Sequence, residues 1–303
     1  MPILSSPWNS ISAAAFLCLM VIPSVFAAGI NGPNLEPLCT VRQALISETL
    51  VSEVLIPVQL KKVIDGDTVI LADGRHLRII GVNTPEMNAG KNANSHGPQP
   101  YAHRAKQYLK DIVKGSSQVY MSPGEERKDR YNRTLAHLYV QPIEAQSTHL
   151  YSVAAQIIRR GLGFYIVFPP NLKQVGCFKR VESLARAQRL GVWKDFSAIP
   201  ADNQNGLARA LTSSLTSGFA LVTGKVAKVT KTKNAWWVEL VGELVLKVSK
   251  HNTQYFDEGE LHNLIGKHVT VRGWVVDRGR HFDNHPKGYK RWMMNIKHPL
   301  SID

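Results

Sequence analysis

The sequence predicts a mainly β chain with helices, arranged as two strand-rich, barrel-like units in succession. Three observations predict it. From Gln59 onward, short β-branched and apolar runs recur between turn residues such as Asp65-Gly66 and Asp73-Gly74. Helical spacing is confined to a few stretches, each stopped by glycine. After Trp193 the stretch "SAIPADNQNGLARALTSSLTSG", rich in Pro, Asn, Ser and Gly, separates one run of strands from another. A length of 303 residues is long for one domain and ordinary for two.

The first 27 residues carry no charged side chain, and "ISAAAFLCLMVIPSVFA" is an apolar core followed by small residues. This predicts a signal peptide over 1–27, cut between Ala27 and Ala28, and hence a periplasmic or secreted protein. The alternative is an uncut membrane anchor, the only route to membrane contact. Cleavage removes Cys18 and leaves Cys39 and Cys177, an even pair that predicts one disulfide in an exported chain, two buried thiols being the alternative. A lead segment follows over 28–57.

The first unit is expected over 58–197. "VQLKKVI", "TVILA" and "HLRIIGV" read as three meandering strands, and "GKNANSHGPQP" as a loop. "YAHRAKQYLKDIVK" has apolar or aromatic residues at Tyr101, Ala105, Tyr108, Leu109 and Ile112, the spacing of a helix. Strands follow at "SQVYMS" and "RTLAHLYV". "HLYSVAAQIIRRG" reads as a helix stopped at Gly161, and "KRVESLARAQRLGVW" as one stopped at Gly191.

After a linker over 198–216, the second unit spans 217–303. "FALVTGKVAKVTKT", "AWWVELV", "LVLKVSK", "HVTVRGWVVD" and "RWMMNIKH" give five strands, with "DEGELHNLIG" a short helix between the third and fourth. That order fits a small OB-like β-barrel. It is expected to be a module separable from the first unit. "HFDNHP" places His281 and His285 in a loop rather than on a metal-binding helix face.

Lys and Arg number 37 against 23 Asp and Glu, a formal charge of +14, so the surface attracts polyanions and nucleic acid heads the expected partners. Trp236, Trp237 and Trp274, interleaved with Arg272 and several lysines, supply the stacking and phosphate-neutralising groups that single strands need; tryptophans at alternating strand positions are also ordinary core residues. No obligate protein partner is implied.

Four motifs in order, "DGDT" at 65–68, "LRIIGVNTPE" at 77–86, "KDRYNR" at 128–133 and "SLARAQRLGVW" at 183–193, resemble the staphylococcal nuclease (thermonuclease) family over roughly Leu60 to Lys194. The resemblance implies an OB-type five-stranded nuclease barrel with flanking helices that hydrolyses phosphodiester bonds in DNA or RNA, as a thermonuclease-type endonuclease. It places Arg78 and Arg133 on the phosphate, Arg130 and Tyr131 beside the nucleic acid, and Glu86 on the attacking water. A guanidinium fork matches phosphate oxygens and stays charged.

By the same resemblance Asp67 is the principal ligand of a divalent cation, with Asp65, Asn83 and Thr84 completing its oxygen donors. Hard oxygens suit calcium. Asn83 departs from the family's aspartate and contributes no charge, which opens the site to magnesium or another divalent ion. A different class of function, a non-catalytic nucleic-acid-binding or scaffold protein on a nuclease-like barrel, is disfavoured because such a module has no need of Asp67, Arg78, Glu86 and Arg133 together.

Overall fold

The computed structural model describes residues 39–42, 54–88, 97–143, 149–194, 218–279 and 289–303. The expected leader with Cys18, most of the lead segment, most of the loop at 90–100, the linker at 198–216 and the loop of His281 and His285 lie outside the described residues. Pro37–Asp303 forms one compact unit.

Strand β1 (Thr40–Arg42) comes from the lead segment. The first barrel opens with β2 (Ile56–Val58) and β3 (Leu60–Val63), one extended run broken only at Gln59. There follow β4 (Thr68–Leu71), β5 (His76–Ile79), the two-residue β6 (Val82–Asn83), helix α1 (Ala102–Lys114), β7 (Ser116–Lys128) and β8 (Thr134–Pro142). The run 56–63 pairs with β7 through its first half and with β4 through its second. With β4 on β5, β5 parallel to β8, and β8 on β7, the pairings return on themselves as a five-stranded barrel.

"HLYSVAAQIIRRG" is not one helix. His149–Ser152 is strand β9, and helix α2 spans only Val153–Arg159. The reason is long-range: β9 lies between β8 and β1, whose Thr40 is opposite Tyr151. Ser152 then caps α2, its hydroxyl accepting from the Ala155 N–H. After β10 (Phe164–Tyr165), paired with β6, comes α3 (Val175–Ala187). This helix begins before Lys179 and ends at Ala187 rather than at Gly191, with Arg189 in the left-handed region at φ 50. Gly191 is required instead by close approach to Gly161: a Cβ on Gly161 would stand 2.1 Å from the Leu190 carbonyl oxygen, and one on Gly191 2.1 Å from that of Gly161. Cys39 and Cys177 are joined as a disulfide, tying the start of β1 to α3 across 138 residues of chain.

The second barrel consists of β11 (Gly218–Lys231), β12 (Ala235–Leu240), β13 (Leu244–Ser249), α4 (Glu258–His262), β14 (His268–Asp277) and β15 (Trp292–Asn295). It closes in the order β11-β12-β13-β15-β14, with β13 and β15 parallel. Counted within each barrel, both rings run first, second, third, fifth, fourth strand, with the third and fifth parallel and a helix between the third and fourth. Two OB-type barrels of like topology therefore follow one another, as the strand patterns predict.

Each barrel has its own apolar core. A third cluster joins them: Phe164, Ala185, Val192 and Trp193 of the first half pack with Leu221 and Phe219 of β11. This differs from a pair of separable modules. Among the described residues no helix is long and apolar enough to cross a membrane.

Candidate active site

The hairpin between β3 and β4 carries "DGDT". Asp65 accepts the Asp67 N–H at 3.1 Å, an Asx turn that fixes Asp67 at the start of β4. Gly66 is required by close approach, because a Cβ there would lie 2.7 Å from both the Ala105 Cβ of α1 and the Thr84 methyl. Asp67 is 3% exposed. Its Oδ2 accepts from the Thr84 N–H at 2.7 Å and hydroxyl at 3.0 Å, and its Oδ1 from the Thr68 hydroxyl at 3.1 Å. Arg78 Nη1 stands 3.1 Å from the same Oδ1.

Arg78 lies opposite Thr68 in the β4–β5 register. Its Nη1 faces the carbonyls of Val82 at 2.9 Å and Ile79 at 3.1 Å, and its Nη2 donates to Asn83 Oδ1 at 3.2 Å. The sharp return from β5 to β6 thus wraps the guanidinium in oxygen acceptors, and Asn83 and Thr84 are buried there.

Arg133 immediately precedes β8, whose Thr134 lies opposite Leu77 in parallel pairing with β5. Adjacent strands therefore bring Arg78 and Arg133 to one edge. Asp129 fixes Arg133: its Oδ2 accepts Arg133 Nε at 2.7 Å, and its Oδ1 accepts the backbone N–H groups of Tyr131 and Arg133. Burial works to raise the Asp129 carboxyl, but the Arg133 hydrogen bonds outweigh it and hold the group below its ordinary 3.8. Sequence reading missed Asp129, although an Asp four residues before an Arg in a turn is a recognisable signal.

Glu86 keeps access to solvent, and its backbone is clasped by Gln99, whose Oε1 accepts the Glu86 N–H at 2.8 Å while the Gln99 N–H donates to the Glu86 carbonyl at 2.9 Å. Its carboxyl is pushed up to about 7, first by desolvation and then by the negative charges of Asp67 and Asp65, with Arg78 and Arg133 pulling the other way. Asp65 is raised to about 6, by burial first and the neighbouring Asp67 second. Five charged side chains share one local field here.

The donor chemistry fits a hard divalent cation. Asp65, Asp67, Asn83, Thr84 and Glu86 offer oxygen donors to a metal, and carboxylates raised first by burial and then by one another's charge are what such a cation relieves. Among the described residues no three His, Cys, Asp or Glu side chains form a metal cage by themselves, so amide, backbone or water oxygens would complete the shell.

The expected nucleic-acid contacts divide. Tyr131 is 64% exposed, with the guanidinium groups of Arg130 and Arg133 at 4.7 and 5.4 Å from its ring centroid. Trp274 is 39% exposed, against Phe168 and Phe219. Trp237 is half-buried, with Lys247 Nζ 5.4 Å and Arg278 5.7 Å from its ring centroid. Trp236, by contrast, belongs to the core of the second barrel. Arg272, expected to meet nucleic acid, is 3% exposed and ion-paired to Glu182 at 2.8 Å, so its charge is spent inside. Sequence reading missed Lys247, which lies opposite Trp237 in the β12–β13 register, and Arg278, which is distant in the chain.

A profile of the family described as "Staphylococcal nuclease homologue" matches residues 76–195. The chain is 31% identical over 159 residues to "Endonuclease YncB" of Bacillus subtilis (strain 168), covering 51% of this chain and 70% of that protein. It is 30% identical over 138 residues to "Thermonuclease" of Staphylococcus intermedius, 44% of this chain and 74% of that one. It is 29% identical over 165 residues to "SPbeta prophage-derived endonuclease YokF" of Bacillus subtilis (strain 168), 53% of this chain and only about half, 52%, of that protein's length.

Proposed function

Because the chain belongs to the staphylococcal nuclease family, we propose that it is an exported, divalent-metal-dependent endonuclease hydrolysing phosphodiester bonds in DNA or RNA. The observation that carries the reading is the strand register that lays Asp67, Arg78 and Arg133 side by side, with Glu86 in the field of all three.

A phosphodiester gains negative charge as water attacks, so preorganised cations aimed at its non-bridging oxygens lower the barrier. Arg78 and Arg133 supply two guanidinium groups, the first fixed by backbone carbonyls and Asn83, the second by Asp129. Glu86 orients the attacking water and takes its proton. Asp67, Asp65, Asn83 and Thr84 would hold the cation, calcium or magnesium, whose chemistry there is to neutralise developing phosphate charge. Tyr131 and Arg130 support the adjacent nucleotide, and Trp237 with Lys247 and Arg278 offers a stacking and charge-neutralising face for the polymer. Export is supported by the uncharged apolar start of the sequence and by the Cys39–Cys177 bond.

One observation favours a second reading, a nucleic-acid-binding protein without catalysis: both Asp67 carboxylate oxygens already accept from protein donors. The two readings part on one experiment. Mature protein is incubated with plasmid, single-stranded DNA and RNA, with calcium, magnesium or chelator. Cleavage abolished by chelator is expected, and Arg78→Lys and Arg133→Lys each lose about 10²-fold or more while remaining folded. Binding without cleavage under every condition selects the second reading, and near wild-type turnover in either variant overturns the phosphate role of that arginine.

A further inference from the structure

Behind the corner that holds Arg78 lies a buried ion pair that hydrolysis itself does not use. Tyr165 of β10 is fully buried. Its N–H donates to Glu182 Oε1 of α3 at 3.0 Å, and its carbonyl accepts from Arg272 Nη1 of β14 at 3.2 Å. Arg272 also bonds Glu182 and, through Nη2, Asp303 at 2.8 Å, and its guanidinium stacks 3.6 Å above the Tyr165 ring centroid. The other residue of β10, Phe164, packs edge-on against Trp193 at 5.2 Å and against Phe219 of the second barrel at 5.3 Å. Both residues of this two-residue strand are therefore gripped by the second barrel.

Among the described residues strand β10 pairs with β6 alone, with Phe164 opposite Asn83 and Tyr165 opposite Val82. Those two β6 residues hold Arg78, Val82 through its carbonyl at 2.9 Å and Asn83 through its amide oxygen at 3.2 Å. Every link from Arg272 to Arg78 is thus a hydrogen bond or a paired strand. We propose that Arg272 is a positioning residue for Arg78, so that the second barrel completes the phosphate-binding corner of the first. The proposal rests on the phosphate role of Arg78 argued above.

The position of Arg272 suits this role better than a stabilising one alone. A short strand between a catalytic corner and a second domain has few contacts of its own to fix its height, and misplacement of a reacting group by about 1 Å can cost on the order of 10²-fold in rate. A guanidinium can reach Tyr165, Glu182 and Asp303 at once because its fork is planar and rigid; an ammonium in its place would keep the charge and lose that geometry.

The test uses the full chain with Arg272→Lys and a p-nitrophenyl phosphodiester of thymidine, too small to span both barrels. The expected result is a kcat per folded molecule about tenfold lower at unchanged KM, with no further loss when the substitution is made in Arg78→Lys. Unchanged kcat, or losses that multiply with that of Arg78→Lys, would overturn the proposal. Should Arg272→Lys fail to fold, Phe219→Leu trims the other grip on β10 and is read the same way. A readout free of turnover is the Arg78 Nε–H resonance in ligand-free protein, expected to move in Arg272→Lys; a stationary resonance overturns the proposal. Wild-type protein that cleaves nothing overturns the nuclease reading instead and leaves the resonance test standing.

Discussion

Asn83 serves two neighbours. Its amide oxygen accepts from Arg78 Nη2, and the residue after it clasps Asp67 through both N–H and hydroxyl. Asn83→Asp changes charge at constant size, so a cation held partly by this side chain binds more tightly. The calcium concentration giving half-maximal activity is expected to fall several-fold, about the effect of one added carboxylate ligand. An unchanged midpoint in the titration would assign Asn83 to Arg78 alone. The neighbouring residues Trp236 and Trp237 show the limit of reading single positions. Alternation says that they face opposite sides of a strand, but nothing local says which side is the core; both rings carry a lysine, Lys231 at Trp236 and Lys247 at Trp237, but of the two only Trp237 is left half-open to solvent.

At the scale of elements, legibility followed how local the cause was. The Asp-Gly turns, the helix stop at Gly161 and the five strands of the second barrel are written in turn chemistry and period, and they stand where the pattern puts them. The stop expected at Gly191 comes earlier, at Ala187, because Arg189 takes the left-handed turn that glycine was expected to make. Strand β9 was hidden because its partner β1 lies more than a hundred residues earlier. Arg272 was hidden for a similar reason, since periodicity marks faces of a strand and not which face docks on another domain. The clamp between α3 and β14 also predicts a pH dependence. Burial works to raise the Asp303 carboxyl, but Arg272 and Lys179 outweigh it and hold the group below its ordinary 3.8. A group depressed on folding stabilises fully above its unfolded pKa and loses that contribution as pH falls through the folded value. Asp303→Asn is therefore expected to cost about 1–2 kcal/mol at pH 7 and progressively less as pH falls below about 3.8. Urea unfolding at neutral and acid pH measures the difference, and a pH-independent cost would contradict the linkage.

For the whole molecule, two barrels of like topology share a buried seam. Removing everything from Gly206 onward strips Arg272 from Glu182, whose carboxyl burial already raises, and uncovers Phe164 and Trp193. Glu182 then keeps only Arg186, 3.9 Å away, and breaking a buried ion pair by removing one partner costs about 3–5 kcal/mol, so the truncated protein is expected to be insoluble or to melt well below the full chain, which should unfold in one transition. A truncated protein as stable as the whole would restore the separable-module picture that the sequence suggests.

The seam also sets an order in time. Glu182 and Arg272 lie 90 residues apart in the chain. Ribosomes extend a chain at about 5–20 residues per second, so roughly 5–20 s pass between the emergence of one and the emergence of the other. Throughout that interval the strands of the first barrel are all available, while the carboxylate beneath β10 has only Arg186 of its own helix, 3.9 Å away, in place of the closer Arg272 guanidinium. The scaffold of the site can form early, but the strand backing its arginine is secured late. In a growing polypeptide the last part of the corner around Arg78 to be finished is the part contributed by a domain that supplies none of the five charged side chains gathered there.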